Sequence, residues 1–208
     1  FLGKEGILIT TSSIQQDGPD KHSQSDSSIF GKILFLDLQT KEYEIFSKGH
    51  RNAQGLAVKG NAILSTEHGP RGGDEINKIT YNSNYGWPIA SYGEPYKKNY
   101  KIEYSKNHLK HGFVEPLYAF VPSIGISELL ITPENFEDKW KNSVLVTSLN
   151  GRSIYIVKFQ TKKLNKIVYT EKIFIGERIR DIKYVDKLKL FILSLERTGN
   201  IGIIKRMN

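Results

Sequence analysis

The densest group of side chains able to do chemistry falls in residues 49–96, GHRNAQGLAVKGNAILSTEHGPRGGDEINKITYNSNYGWPIASYGEPY. Within fewer than fifty residues it holds an adjacent cation and amide (Arg51-Asn52), a Gly69-Pro70 turn, the carboxylates Asp74 and Glu75, an Asn84-Tyr85-Gly86-Trp87-Pro88 corner and Tyr96. Polar and turn residues at this density, set between short β-like runs, predict loops gathered on one face of a β-scaffold. Arg178 and Arg180 in GERIRDIKY add a second group. Alternation along a strand puts both on one face, and two guanidinium groups on one face attract anions. Each feature alone has an ordinary alternative. Arg51 can pack on a strand and cap a turn, Gly69-Pro70 can be only a turn, and Asp74-Glu75 can be a surface pair. Tyr96 can be a buried structural tyrosine, and Asp181 can neutralise the arginines.

The elements that must position these residues are strands. ILIT, KILFLDL, AILST, EINKIT, SVLVTSL, SIYIVKF, LFILSL and IGIIK are short runs rich in Ile, Val, Leu, Phe or Tyr, bounded by Gly, Asn, Asp or Pro. Only residues 133–140 predict a short helical turn. The strands recur in triples: GLAV, NAILSTEHG, DEINKIT; then SELLIT, NSVLVTSLNG, RSIYIVKF; then IRDIKYV, LKLFILSL, GNIGIIKR. YEIFSK and KIVYTEKIF are candidates for a fourth, outer strand. Four strands per unit at a regular period predict an all-β propeller, here a partial ring of about three and a half four-stranded blades. The units are a partial blade at 1–48, a blade with a long site loop at 49–122, a blade at 123–175 and a three-stranded last blade at 176–208. A small β-sandwich would tolerate the length but would not explain the repeating triples.

Composition narrows the classes further. Hydrophobic residues make up 38% of the 208, which fits a globular core rather than disorder. No apolar run reaches the roughly 18 to 20 residues of a membrane span. The absence of cysteine removes disulfides, thiolate metal sites and a cysteine nucleophile. The net charge of +8 comes from scattered lysines, among them Lys97, Lys98, Lys101, Lys162, Lys163 and Lys166, so it reads as a solvated basic surface and not a nucleic-acid face.

Residues 49–96 resemble, almost residue for residue, the soluble quinoprotein sugar dehydrogenases, the glucose/sorbosone dehydrogenase family. The resemblance implies a six-bladed propeller that uses pyrroloquinoline quinone (PQQ) and calcium, in the periplasm or secreted. Arg51 and Asn52 match a pair that hydrogen-bonds the quinone oxygens, where preorganised donors stabilise the charge that develops as hydride arrives. Gly69 and Pro70 match a turn whose carbonyls bind calcium, a hard cation that accepts such ligands and polarises the quinone. Glu75 and the main chain at Tyr85 match a second, structural calcium site. Tyr96 falls where the family sets an aromatic face against the cofactor. Ser148, Leu149 and Asn150, and Arg178, Ile179 and Arg180, match segments that meet the cofactor.

Two departures bear on the expected activity. Asn150 stands where the family carries a lysine or arginine, and Arg152, two residues on, is a candidate substitute. The general-base histidine of the family is expected upstream of Phe1, and His22, His50, His68, His108 and His111 do not match its position. The opening residues, FLGKEGILITTSS, read as the inside of a β-strand. The resemblance therefore implies oxidation of an aldose at its anomeric carbon by the intact protein, with a sugar and an electron acceptor as partners. The segment alone is expected to lack activity and to need its missing blades or a second copy. The alternative is a non-catalytic propeller that binds a glycan or protein. A lactonase-type propeller would need several carboxylates and asparagines around one axial calcium, a pattern not found.

Overall fold

The computed structural model describes residues 3–15, 20–96 and 103–206, so Lys97, Lys98 and Lys101 lie outside the described residues. The strands are β1 (Gly6–Thr10), β2 (Lys32–Asp37), β3 (Tyr43–Lys48), β4 (Ala53–Lys59), β5 (Ala62–Glu67), β6 (Asp74–Lys78), β7 (Ser83–Asn84), β8 (Tyr118–Phe120), β9 (Ile126–Ile131), β10 (Ser143–Ser148), β11 (Ser153–Phe159), β12 (Ile167–Phe174), β13 (Ile179–Val185), β14 (Leu190–Leu195) and β15 (Asn200–Lys205). They form four sheets in the orders β1-β2-β3-β7, β4-β5-β6-β8, β9-β10-β11-β12 and β13-β14-β15. Consecutive sheets stack through their leading strands, β4 on β9 and β9 on β13. The fold is an all-β partial propeller. Each triple in the sequence is three successive strands of one sheet.

The near-continuous apolar runs follow from sheets covered on both faces. On β10, Val144 and Val146 enter the core shared with the β4–β8 sheet, while Leu145 enters the core shared with the β13–β15 sheet. On β11, Val157 joins the first core, and Ile154 and Ile156 join the second. Each such fully buried side chain contributes roughly 1.5–3 kcal/mol. A third core, Ile33, Phe35, Phe46, Ile79 and Tyr85, joins the first two sheets. YEIFSK is β3, and the two-residue β7, from the connection between β6 and β8, adds beyond it in parallel. The helical signal at 133–140 resolves to one 3-10 turn, Asp138–Trp140; similar turns at Leu109–His111 and Asp186–Leu188 had no periodic signal to announce them.

The leading strands β4, β9 and β13 all slip register against their neighbours, between Ala53 and Leu56, opposite Val146 and Ser148, and between Ile179 and Asp181. Such bulges leave N–H groups off the ladder. Hydroxyls on the second strand meet them: Gly55 N–H donates to Thr66 Oγ1 (2.8 Å) and Glu128 N–H to Thr147 Oγ1 (3.0 Å). The same layer ties blade to blade, through Thr66 Oγ1 to Ser127 O (2.5 Å) and Ser127 Oγ to Ile179 O (2.6 Å).

Asp74, at the start of β6, is buried rather than on the surface. Its carboxylate accepts Gly69 N–H (3.1 Å), Ser123 Oγ–H (2.9 Å), Ile124 N–H (3.0 Å) and Ile126 N–H (2.9 Å). Burial opposes its charge, but the donors, with His68 beside it, hold its pKa below the usual value. A depressed carboxylate contributes stability above its unfolded pKa and loses it as pH falls through the folded one. Asp74→Asn should therefore cost on the order of 3 kcal/mol near neutral pH. In chemical denaturation the gap from wild type should close below about pH 4. A gap that stays constant to pH 2 would refute this account.

Candidate cofactor and metal site

A cavity of about 470 Å³ opens where the leading strands begin. It brings together Arg51, Asn52, Gly69, Pro70, Tyr96, Leu149, Asn150 and Arg178, with His68, Asp74, Ser123 and Gly125 completing the wall. These residues come from three sheets, and the Asp74 contacts set the relative positions of the Gly69 turn and the 123–126 segment.

Arg51 precedes β4 and is buried. Its Nη1 donates to His68 O (3.0 Å), and its guanidinium lies over the rings of Trp87 (5.3 Å) and Tyr96 (6.0 Å). Its main-chain N–H donates to Glu67 Oε1. Burial pulls its pKa down, opposed by Tyr96 and Glu67. Tyr96 is no buried structural tyrosine: it is 57% exposed, and its hydroxyl donates to Pro70 O (3.1 Å). The Gly69 turn is very tight, since a Cβ there would fall 2.2 Å from Gly72 O and 2.3 Å from Gly73 O. Gly73, at φ +69°, lets the turn pass against Gly93.

Several expected contacts do not reach this cavity. Ser148 is buried, its hydroxyl donating to Ser153 O (2.9 Å) and accepting Ser153 N–H (3.2 Å). Ile179 belongs to the apolar core. Arg152 adopts φ +47° and does not line the cavity. Arg178 lines the wall but Arg180 does not. The bulge between Ile179 and Asp181 breaks the strict alternation that would have put both on the cavity face. Asp181 is not their partner; both arginines share Glu196, Arg178 Nη2 at 3.0 Å and Arg180 Nη2 at 2.5 Å.

A second cavity of about 10 Å³, near the size of one water, lies behind the first. Glu67, Glu75, Tyr85 and Trp87 line it. Glu75 is buried, not a surface residue, and its pKa is pushed up to about 8 by burial and by Glu67, Glu115 and Asp74, against a hydrogen bond from Asn77. Among the described residues no group of three His, Asp or Glu side chains is arranged to hold a metal. A cation here would need main-chain oxygens as well.

Glu67 is the residue sequence reasoning passed over, and that reasoning gave His50 and Trp87 no role in the site. His50 Nδ1 meets Glu67 Oε2 (2.9 Å), His50 Nε2 meets Ser47 Oγ (2.8 Å), and the imidazole stacks on Tyr85 (4.6 Å). Ser47 and His50 are sealed from solvent, so this Ser-His-Glu line braces the site and does not offer a nucleophile. The available signal was position: Glu67 ends a strand of otherwise uncharged residues, and Trp87 sits in a turn-rich corner.

The sequence profile described as glucose/sorbosone dehydrogenase matches residues 3–204. The chain belongs to that family. It is 31% identical to aldose sugar dehydrogenase YliI of Escherichia coli over 162 residues, 76% of this chain and 43% of that one. It is 52% identical to quinoprotein glucose dehydrogenase B of Acinetobacter calcoaceticus over 89 residues, 36% of this chain and 18% of that one. The soluble aldose sugar dehydrogenase of Escherichia coli, in its apo form, superposes with a TM-score of 0.83 at 25% identity over 99% of this chain and 62% of that one. The PQQ-bound aldose sugar dehydrogenase of Streptomyces coelicolor shares the fold, with a TM-score of 0.69 at 20% identity over 95% of this chain and 57% of that one. The chain thus spans less than two thirds of the length of these relatives. Among the described residues no helix is long and apolar enough to cross a membrane.

The raised pKa of Glu75 gives a test. The folded state holds this proton between about pH 4.5 and pH 8, whereas the unfolded state releases it. In a metal chelator, stability should therefore fall as pH rises across that window. Glu75→Gln, which mimics the protonated acid, should match wild type at pH 5 and exceed it at pH 8, on the order of a few kcal/mol. Parallel melting curves for the two proteins at pH 5 and pH 8 would rule this out.

Proposed function

We propose that the intact protein is a PQQ- and calcium-dependent dehydrogenase that oxidises an aldose at its anomeric carbon to the lactone. A sugar and an electron acceptor are its partners, in a periplasmic or secreted setting. The observation that carries this reading is the single cavity that gathers two arginines, two carboxamides and an exposed aromatic beside the Gly69-Pro70 turn. Its volume falls within the usual roughly 300–1,000 Å³ for cofactor sites.

The donors present fit the group. PQQ, when bound, supplies the two-electron acceptor. Arg51 and Asn52 offer N–H donors, and Arg51 is held by His68 O and Trp87 rather than left to reorganise. Arg178 and Asn150 suit carboxylate groups, and Tyr96 offers a flat face. Pro70 O already accepts the Tyr96 hydroxyl and keeps a second lone pair for calcium, beside the carbonyl of Gly69. The crowded acids Glu67 and Glu75, with main-chain oxygen from Tyr85, fit a second, structural calcium, since a cation would relieve their mutual repulsion. The general base is assigned to no residue of this chain.

One observation favours a second reading. Asn150 brings no charge, Arg180 does not line the cavity and Arg178 is itself paired with Glu196, which leaves less free cationic charge for an anionic cofactor. A non-catalytic propeller that binds a glycan fits that balance. Equilibrium titration with PQQ separates the two. Calcium-loaded protein should bind PQQ, chelation should weaken binding, and Arg51→Ala should weaken it by about tenfold or more. Failure of calcium-loaded protein to bind PQQ would favour the glycan reading.

A further inference from the structure

Lys32 opens β2, yet its side chain is sealed from solvent. Its ammonium donates to three main-chain carbonyls, His22 O (2.7 Å), Phe30 O (2.9 Å) and Ser23 O (3.0 Å). Three donors meet three acceptors, so a tethered cation does here what a bound ion or water does in other loops. All three carbonyls belong to the β1–β2 connection. Asp20 caps the same turn, accepting His22 N–H (2.9 Å) and Ser23 Oγ–H (2.6 Å).

This connection reaches the cofactor cavity by two routes. Ser23 O, besides Lys32, accepts Gly49 N–H (2.9 Å), two residues before Arg51. Gln24 donates to Trp87 O (2.6 Å), and its side-chain amide pairs with that of Asn84 (2.7 and 3.2 Å). Trp87 is the ring beneath the Arg51 guanidinium.

We infer that Lys32 is a positioning residue for Arg51: its ammonium folds the 20–31 connection onto Gly49 and Trp87 and so fixes the guanidinium in the cavity wall. The consequence for cofactor affinity rests on the reading of the cavity as a PQQ site; the consequence for Trp87 does not. Burial lowers the Lys32 pKa to about 8, with Asp26 and Asp20 opposing and Lys48 reinforcing the shift. The ammonium form still predominates at pH 7. Because the unfolded lysine keeps its proton to higher pH, wild-type stability should rise between about pH 8 and pH 10.5.

The test uses Trp87 as reporter in a Trp140→Phe background, since the chain has two tryptophans. Lys32→Met, at a temperature where its far-UV spectrum matches wild type, should make Trp87 more open to acrylamide quenching. It should also weaken PQQ binding about tenfold and abolish the stability gain above pH 8. Unchanged Trp87 quenching in Lys32→Met would overturn the inference even if the melting temperature falls. Should wild type bind no PQQ, the cofactor reading fails and Trp87 quenching alone decides the inference. If Lys32→Met does not fold, Gln24→Ala replaces it: raised quenching supports the route through the connection, and unchanged quenching overturns it.

Discussion

The buried carboxylate of Asp74 is the contact on which the rest of the site depends. Four donors from two separate segments converge on it, Gly69 N–H from one side and Ser123, Ile124 and Ile126 from the other. The first segment is the tight Gly69 turn, and the second is the lead-in to β9. A buried anion with this many donors is stable only while all of them stay in place, because each lost partner leaves charge unpaid in a poor solvent. Asp74 therefore does more than fill a corner. It couples the turn that offers carbonyl oxygens to the strand that begins the next blade.

Bulges on the leading strands are the second organising device. Thr66 and Thr147 occupy equivalent places on β5 and β10, each accepting an N–H that the bulge takes off the ladder. Thr66 and Ser127 then pass hydrogen bonds to the next blade. The blades are thus joined by apolar cores through most of their height and by hydroxyls at the end that carries the cavity. The cost appears at β13, where the bulge takes Arg180 out of the cavity wall while Arg178 stays in it, both still paired with Glu196.

Charge is distributed unevenly between the two cavities. Arg51 borders both; the larger adds Arg178 and the Asp74 carboxylate, the smaller adds Glu67 and Glu75. Glu67 lies on the boundary, with one oxygen on the Arg51 main chain and the other on His50. The Ser47-His50-Glu67 line therefore holds the segment just before β4 against a carboxylate that is itself crowded by Glu75. The excess of acid is therefore greater around the smaller cavity, where a cation would relieve the crowding of Glu67 and Glu75.

Much of this architecture was legible in the chain. Short β-branched and aromatic runs between turn residues set out the strands, and the three triples set out the sheets, because strand propensity, turn chemistry and a regular repeat are properties of the sequence itself. The motif from Arg51 to Tyr96 marked most of the cavity wall. Other features depended on contacts between segments far apart in sequence. Asp74 and Glu75 read equally well as a surface pair until residues 118–126 cover them, and Tyr96 read nearly as well as a buried tyrosine until the wall left it open. Strict alternation put Arg180 beside Arg178 on the cavity face; the bulge leaves only Arg178 there, although Glu196 still bridges the two. Nothing in the run KILFLDL singles out Lys32, but the fold wraps three carbonyls around it. Residue order by itself determined which strands form and which loop carries the polar groups, since propensity and turn chemistry act over a few residues. Burial, bulge direction and the choice of ionic partner were decided by the tertiary structure alone, because each depends on which distant segment arrives to exclude water.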